Sequence, residues 1–315
     1  MPVLHDAVLL IAFGGPTAMH EVRPFLANVL RGRPVSPERL EAVVHHYEQM
    51  GGRSPLNDLT FRQARALEAE LRNAGHGLPV YVGMRNWTPY LHETLARMAT
   101  AGVQRAVGVI MSAQQSDAGW ERYVRDVTAA RAQVGATAPR IDYADEWHAH
   151  PLFITAVAER LSAALHELPP DRRARAPLVF TAHSIPTTMA AAAPYVAQIT
   201  TGATLVAQRL GHTEWSIAYQ SRSGNPHDPW LEPDIGDVVR QLARQGAGDV
   251  VVAPIGFVCD HVEVLYDLDI EAKAVADAAG IHFVRATALN DHPAFIRMLA
   301  DVVRRCMSPL GAARE

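Results

Sequence analysis

At 315 residues, with 49% hydrophobic and 20% charged residues, the chain has the composition of a globular protein able to bury one large or two medium cores. A net charge of −4 and the lack of any basic run exclude the electrostatic footprint of a nucleic-acid-binding protein. Its two cysteines, Cys259 and Cys306, form no Cys-x-x-Cys pair, which excludes a disulfide framework, a zinc ribbon and an iron-sulfur cluster and leaves metal chemistry to His and carboxylates.

The first element is the apolar run AVLLIAF (7–13), closed by Gly14, Gly15 and Pro16 after the length of one buried strand. It is too short for a signal peptide, and no later stretch approaches the roughly 20 apolar residues that span a bilayer, so the expected compartment is the cytoplasm. The amphipathic helix LTFRQARALEAELRNAG (59–75) follows, then the strands PVYVGM (79–84), RAVGVIM (105–111) and RIDYADEW (140–147). The second half repeats the theme with APLVFTAH (176–183), WSIAYQS (215–221), DVVVAPIGF (249–257) and IHFVRAT (281–287). Continuous apolar strands alternating with amphipathic helices require a parallel sheet covered on both faces. The expected fold is therefore α/β: two Rossmann-like, doubly wound lobes, each a parallel sheet flanked by helices, with a cleft between them.

HPLFITAVAERL (150–161) and HPAFIRMLADVV (292–303) each follow the last strand of a half and open its closing helix, which supports the duplication. The expected lobes are residues 1–150 and 151–315, with an exchange of closing helices between them left open. In open α/β sheets ligands sit beyond the carboxyl ends of the strands. The segments AFGGP (12–16), SAQQSDAGWERY (112–123), TAHSIP (181–186) and GFVCDHVEVLYDLDIE (256–271) occupy such ends.

In the last of these, Glu263, Asp267 and Glu271 recur every four residues and would line one drifting stripe of an α-helix. Asp260-x-x-Glu263 also has the form of a capping box, so Glu263 is explicable either as a helix cap or as chemistry. The stripe is embedded among Val262, Val264, Leu265, Tyr266, Leu268 and Ile270, and carboxylates set among apolar residues face a ligand, a metal or a wet channel. His183 closes its strand and reads either as bonded to backbone or as an imidazole offered at the mouth of the sheet. Ser184 lacks a G-x-S-x-G elbow, and the Gly14-Gly15 turn lacks both G-x-G-x-x-G and a Walker lysine; its glycines permit close approach of a flat ligand or of another segment. His148 and His150 read as helix-start residues, since the same His-Pro step recurs at His292-Pro293. One of His45 and His46 would face a ligand and the other solvent, and Trp230 reads as core or cleft wall.

Taken together, YEQMGGRSPL (47–56), TAHSIP (181–186), YQSRSGNPHDPWLEPDI (219–235) and PIGFVCDHVEVLYDLDIE (254–271) resemble the ferrochelatase family, with a match from about residue 7 to 304. The resemblance implies a two-lobed enzyme that inserts Fe²⁺ into a porphyrin in haem biosynthesis. It puts the essential pair on His183 and Glu263, continues the metal line onto Asp267 and Glu271, and places porphyrin-facing positions at Phe13, Arg31, His46, Tyr47, Ser54 and Tyr123. Phe13 stands where soluble bacterial members commonly carry Tyr, which removes a phenol contact to the metal. His46 stands where an Arg for a propionate is common, and Gln114 and Asn86 replace frequent histidines. The short polar segment 29–52 resembles users of coproporphyrin III, which would yield Fe-coproporphyrin III; protoporphyrin IX is the alternative substrate. A cobalt or nickel tetrapyrrole chelatase and a noncatalytic porphyrin or haem carrier are more distant readings. No cofactor beyond substrate Fe²⁺, no iron-sulfur cluster, no nucleic acid and a monomeric state are expected.

Overall fold

The computed structural model describes residues 4–31, 35–223 and 228–308. Residues 32–34 of the polar segment 29–52 and residues 224–227 of the motif 219–235 lie outside the described residues.

Eight strands form two parallel four-stranded sheets. In the first, β1 (Ala7–Ala12), β2 (Val80–Met84), β3 (Arg105–Ile110) and β4 (Arg140–Tyr143) are ordered β2-β1-β3-β4. In the second, β5 (Leu178–His183), β6 (Trp215–Gln220), β7 (Asp249–Ala253) and β8 (His282–Arg285) are ordered β6-β5-β7-β8, the same order displaced by four. Every residue of β1 and β7 is buried, which is why these strands read as unbroken apolar runs rather than alternating ones. Leu9 and Ile11 of β1 pack with Leu95, Met98 and Val127 from the helices Leu91–Thr100 and Arg122–Val134. Val250 and Val252 of β7 pack with Val239, Leu268 and Ala276 in the second sheet's core.

The chain divides into two compact units. One contains the first sheet, with the residues up to Ser112, Asp117–Trp147 and those from Asp291 onward; the other contains Ala113–Ser116 and His148–Asn290. The helix Pro151–His166, which follows β4 in sequence, packs on β7 and β8. The helix Pro293–Met307, which follows β8, packs on β3 and on the helix Leu56–Asn73. Each closing helix thus completes the unit of the other sheet.

The two His-Pro steps have one physical job. His150 and His292 sit at the N-caps of these helices, and each ring Nδ1 accepts from the backbone N–H two residues on, Leu152 at 3.1 Å and Ala294 at 3.2 Å. The following proline occupies the first helical position, where its missing N–H costs nothing.

In each sheet the connections leave the first strand toward one edge and then return to the other side, so the topology reverses between β1 and β3 and between β5 and β7. The carboxyl ends at such a reversal open onto a crevice. Phe13 follows β1 directly, His183 is the last residue of β5, and the segment carrying Glu263 follows β7.

Candidate active site

In the unit of the second sheet, His183 is held by its own main chain. The Tyr195 hydroxyl donates to the His183 carbonyl at 2.9 Å, and Ser184 N–H donates to the Gln220 carbonyl at 2.8 Å across the β5–β6 edge. The imidazole Nδ1 lies 2.5 Å from the Ser184 carbonyl, which accepts only, so Nδ1 carries a proton and the neutral ring has its lone pair on Nε2. That Nε2 faces Glu263 Oε2 at 4.0 Å, the half-buried imidazole and the exposed carboxylate leaving room between them.

Glu263 lies in the short turn Val262–Val264, whose N-cap is His261 and not Asp260. The capping-box reading of Glu263 does not hold, because no side chain caps this turn and the Asp260 carboxylate is already used. It accepts from Arg285 Nη1 at 2.8 Å, Asn290 Nδ2 at 2.7 Å and the Ala288 N–H at 3.2 Å. Arg285 also grips Asp269 through Nε and Nη2 at 2.5 and 2.9 Å. This clamp anchors the segment after β7 to the segment after β8 and leaves Glu263 with no capping task.

The helix beyond Glu263 also departs from the α-helical stripe. Leu265–Ala272 is wound as a π-helix before α-helical geometry resumes at Lys273–Ala279. A turn closed by i→i+5 bonds takes more residues than the 3.6 of an α turn. Four-residue spacing overshoots an α turn and falls closer to a full turn of the wider one. The carboxylates of Glu263, Asp267 and Glu271 therefore drift less than α geometry implies, and the wide turn belongs to the kind found at functional sites.

Asp267 accepts a short hydrogen bond from Ser221 Oγ and a longer one from Gln220 Nε2 at 3.3 Å. Ser221 is a non-glycine residue at φ 60°, and that left-handed backbone follows directly on β6. Burial pushes the Asp267 carboxyl up to about 7, with the charges of Glu263 and Glu271 adding to the rise and the two hydrogen bonds opposing it. His261, partly buried and with its ring 5.1 Å from that of Phe257, is held below the usual histidine value by burial and by nearby His183, against the pull of Glu263 and Asp260.

Gln220, Ser221, Tyr195 and His261 carry no role in the sequence reading. The first two had a signal, since His183 and Gln220 are register partners and close adjacent strands. Tyr195 had none, being brought in by the helix Tyr195–Leu210. Trp230 is partly buried and bridges to Pro186.

In the unit of the first sheet, Phe13 is exposed and meets Phe25 edge-on at 6.3 Å, and Phe25 in turn meets Tyr47 at 6.2 Å. Tyr47 is buried, His46 half-buried and His45 exposed beside Glu48 and Gln49. Ser54 is buried against the glycine turn: its N–H donates to the Pro16 carbonyl at 2.8 Å, and a Cβ on Gly15 would lie 3.0 Å from the Ser54 Cβ. Asn57 closes the same contact through the Gly15 N–H and carbonyl at 2.9 and 2.8 Å. The close approach these glycines permit is thus made to a neighbouring segment of the chain.

Arg31, Tyr123 and Phe13 are drawn together by Arg85, whose guanidinium lies 4.3 Å from the Tyr123 ring centroid and 6.0 Å from that of Phe13. Asn86 donates to the Phe13 carbonyl through its backbone N–H at 3.0 Å and its side chain at 3.2 Å. In the other unit Gln114 donates to the Ile255 carbonyl at 3.4 Å. Both replacements for histidine are buried and serve the backbone.

Comparison with known proteins identifies the family. The ferrochelatase family model matches residues 5–307. The chain is 43% identical to the coproporphyrin III ferrochelatase of Mycolicibacterium smegmatis, over 98% of this chain and 92% of that protein. It is 44% identical to that of Nocardia farcinica, over 98% and 90%. Among solved structures, the cobalt complex of the sirohydrochlorin chelatase SirB from Bacillus subtilis aligns with a TM-score of 0.59 at 12% identity, covering 98% of each chain. CbiX, a terminal enzyme of sirohaem biosynthesis in denitrifying bacteria, aligns at 0.55 and 14%, covering 96% of this chain and all of the other. At such identities the structural likeness speaks for the two-sheet fold alone, whereas the sequence matches extend over nearly the whole length: the chain belongs to the ferrochelatase family.

Proposed function

We propose that the protein inserts Fe²⁺ into coproporphyrin III, giving Fe-coproporphyrin III in haem biosynthesis, with His183 and Glu263 as the reactive pair. The observation that carries this reading is the His183 Nε2 lone pair facing Glu263 Oε2 at 4.0 Å where the second sheet reverses. Full-length similarity to coproporphyrin III ferrochelatases supports the substrate.

The reaction replaces two pyrrole protons by one Fe²⁺, so the site must strip water from the cation and take up two protons. An imidazole with its lone pair on Nε2 can ligate Fe²⁺ or accept a pyrrole proton, and Glu263 opposite it can do the other; the accepting group must then release the first proton, to Asp267 or to solvent, before it takes the second. Carboxylate oxygens suit a hydrated divalent cation, and one imidazole nitrogen at the end of the line adds a softer ligand. Asp267, poised near neutrality, can exchange a proton with Glu263 and pass it toward Glu271. Phe13, Arg31, His46, Tyr47, Ser54 and Tyr123 belong to the porphyrin side of the reading, Phe13 and Arg31 through exposed surface and the buried residues by supporting it. No helix among the described residues is long and apolar enough to cross a membrane. We read the protein as a cytoplasmic monomer needing no resident cofactor.

The test is anaerobic metallation with Fe²⁺, offering coproporphyrin III and protoporphyrin IX separately and following the porphyrin absorbance. Turnover with coproporphyrin III is expected, and His183→Ala should abolish it while porphyrin binding persists. Normal turnover in that variant removes His183 from the mechanism, and exclusive use of protoporphyrin IX overturns the substrate.

A further inference from the structure

Two guanidiniums share one carboxylate beside Phe13 and Tyr123. Arg85 Nε donates to Asp126 Oδ2 at 2.5 Å, and Arg31 Nη1 donates to Asp126 Oδ1 at 2.6 Å. Arg31 Nη2 reaches the Arg85 carbonyl at 3.3 Å, so the three residues form a closed ring of contacts. Burial alone would push the Asp126 carboxyl up, but the two guanidiniums outweigh it and hold Asp126 below the usual carboxylate range.

The three side chains grade from inside to outside. Arg85 is 4% exposed, Asp126 16% and Arg31 45%. Arg85 is spent on Asp126 and on the Tyr123 face, whereas Arg31 keeps donors directed at solvent, because a guanidinium carries more N–H groups than these two contacts use. Arg31 is also fixed through its main chain. It caps the helix Met19–Leu30 at φ 46° with its N–H on the Ala27 carbonyl, so its side chain leaves from a defined point. Among the described residues one positive charge of the three is left without a carboxylate of its own, and the exposed member of the group is Arg31.

We propose that Asp126 is a positioning residue for the porphyrin's carboxylates, holding the Arg31 guanidinium so that its remaining donors and the uncompensated charge meet a propionate of the substrate. This rests on the reading that the first-sheet unit receives the porphyrin. A carboxylate is the partner chemistry that fits: a planar fork of N–H donors matches it edge to edge, and the aromatic neighbours Phe13 and Tyr123 suit the flat ring that bears it. A tetracarboxylate such as coproporphyrin III gains more from this than a dicarboxylate, since more of its orientations bring a propionate to Arg31.

The test measures KM and kcat for anaerobic iron insertion, together with porphyrin affinity by fluorescence quenching without metal, in Asp126→Asn, Arg31→Gln and the double variant. Asp126→Asn is expected to raise KM and Kd for coproporphyrin III about tenfold, the worth of one charge-assisted hydrogen bond, with kcat within about twofold. Because Asp126 acts through Arg31, the double variant should be no worse than Arg31→Gln alone. Asp126→Glu keeps the charge that Arg85 needs but moves the carboxylate outward. It should raise Kd while the melting temperature holds, which separates positioning from folding. An unchanged Kd in Asp126→Asn, or effects of Asp126→Asn and Arg31→Gln that multiply, would overturn the assignment. A wild-type protein that metallates neither porphyrin would instead overturn the proposed function, and the metal-free affinities would still decide the role of Asp126.

Discussion

The Tyr195 hydroxyl donates to the carbonyl of His183 at 2.9 Å and fixes the residue that offers its imidazole to Glu263. Tyr195 is buried, and burial pushes its phenol well above the ordinary tyrosine value, so it donates at every working pH. Tyr195→Phe deletes this one bond and almost no volume. We expect a loss of about 1 kcal/mol in stability and several-fold in kcat with porphyrin affinity unchanged. Denaturant titration and steady-state metallation check it, and an unaltered kcat would show that strand pairing alone positions His183.

Asp267 gives a pH dependence of known sign. Its folded-state value of about 7 lies above the ~3.9 of an unfolded aspartate, so the folded protein binds this proton more tightly. Stability from that proton is fully present below ~3.9 and is lost as pH rises through about 7. Asp267→Asn cannot ionise, and its melting temperature should match the wild type near pH 4 and exceed it by about 2–4 °C near pH 8. Thermal melts across that range test this; equal melting temperatures near pH 8 would mean that Ser221 and Gln220 compensate the charge fully.

Asp249 behaves in the opposite sense. It is the first residue of β7, and burial would raise its carboxyl, but Arg172 and His282 together hold it below the usual value. Its contribution is present above the unfolded value of ~3.9 and is lost as pH falls through the lower folded value. Asp249→Asn should lower the melting temperature near pH 7, and the gap to the wild type should close in acid. A gap that persisted in acid would assign the loss to packing.

Arg285, the last residue of β8, pairs with Asp260 and Asp269 and thereby ties the segment after β7 to the end of β8. Arg285→Met strips both carboxylates of their partner. The cost should be near the low end of the ~3–5 kcal/mol typical of breaking a buried pair, because Asn290 and the Ala288 N–H still serve Asp260. Urea unfolding measures that loss. Turnover should fall with it at temperatures where the variant stays folded, since Glu263 begins three residues beyond Asp260.

Much of the framework is legible in the chain because it is set by local chemistry. Unbroken apolar runs in β1 and β7 announce strands covered on both faces, and the repeated His-Pro step announces two helix starts that the Nδ1 caps of His150 and His292 realise. The approach of another segment to Gly15 was one of two readings its small size allowed, and Ser54 and Asn57 make it. Where the outcome depends on partners distant in sequence, the pattern misleads or falls silent. Asp260 and Glu263 have the spacing of a capping box, yet Arg285 at the end of β8 and Asn290 beyond it claim Asp260. The π turn at Leu265–Ala272 is invisible to periodicity, because acids four apart suit an α turn and a wider turn alike. Asp126 carries no motif and becomes notable only when Arg31 and Arg85 arrive from separate elements.

The crossed closing helices bear on how the chain comes off the ribosome. All strands of the first sheet are synthesised early, but the helix that lays Phe295, Leu299, Val302 and Val303 into that unit is made after every other described element. The second sheet has its own covering helix, Pro151–His166, in hand before its first strand emerges. The half translated second is therefore the first able to finish. Until residue 307 clears the exit tunnel, the older half must wait with an apolar face uncovered, a vulnerable interval in vectorial synthesis that a C-terminal truncation would make permanent.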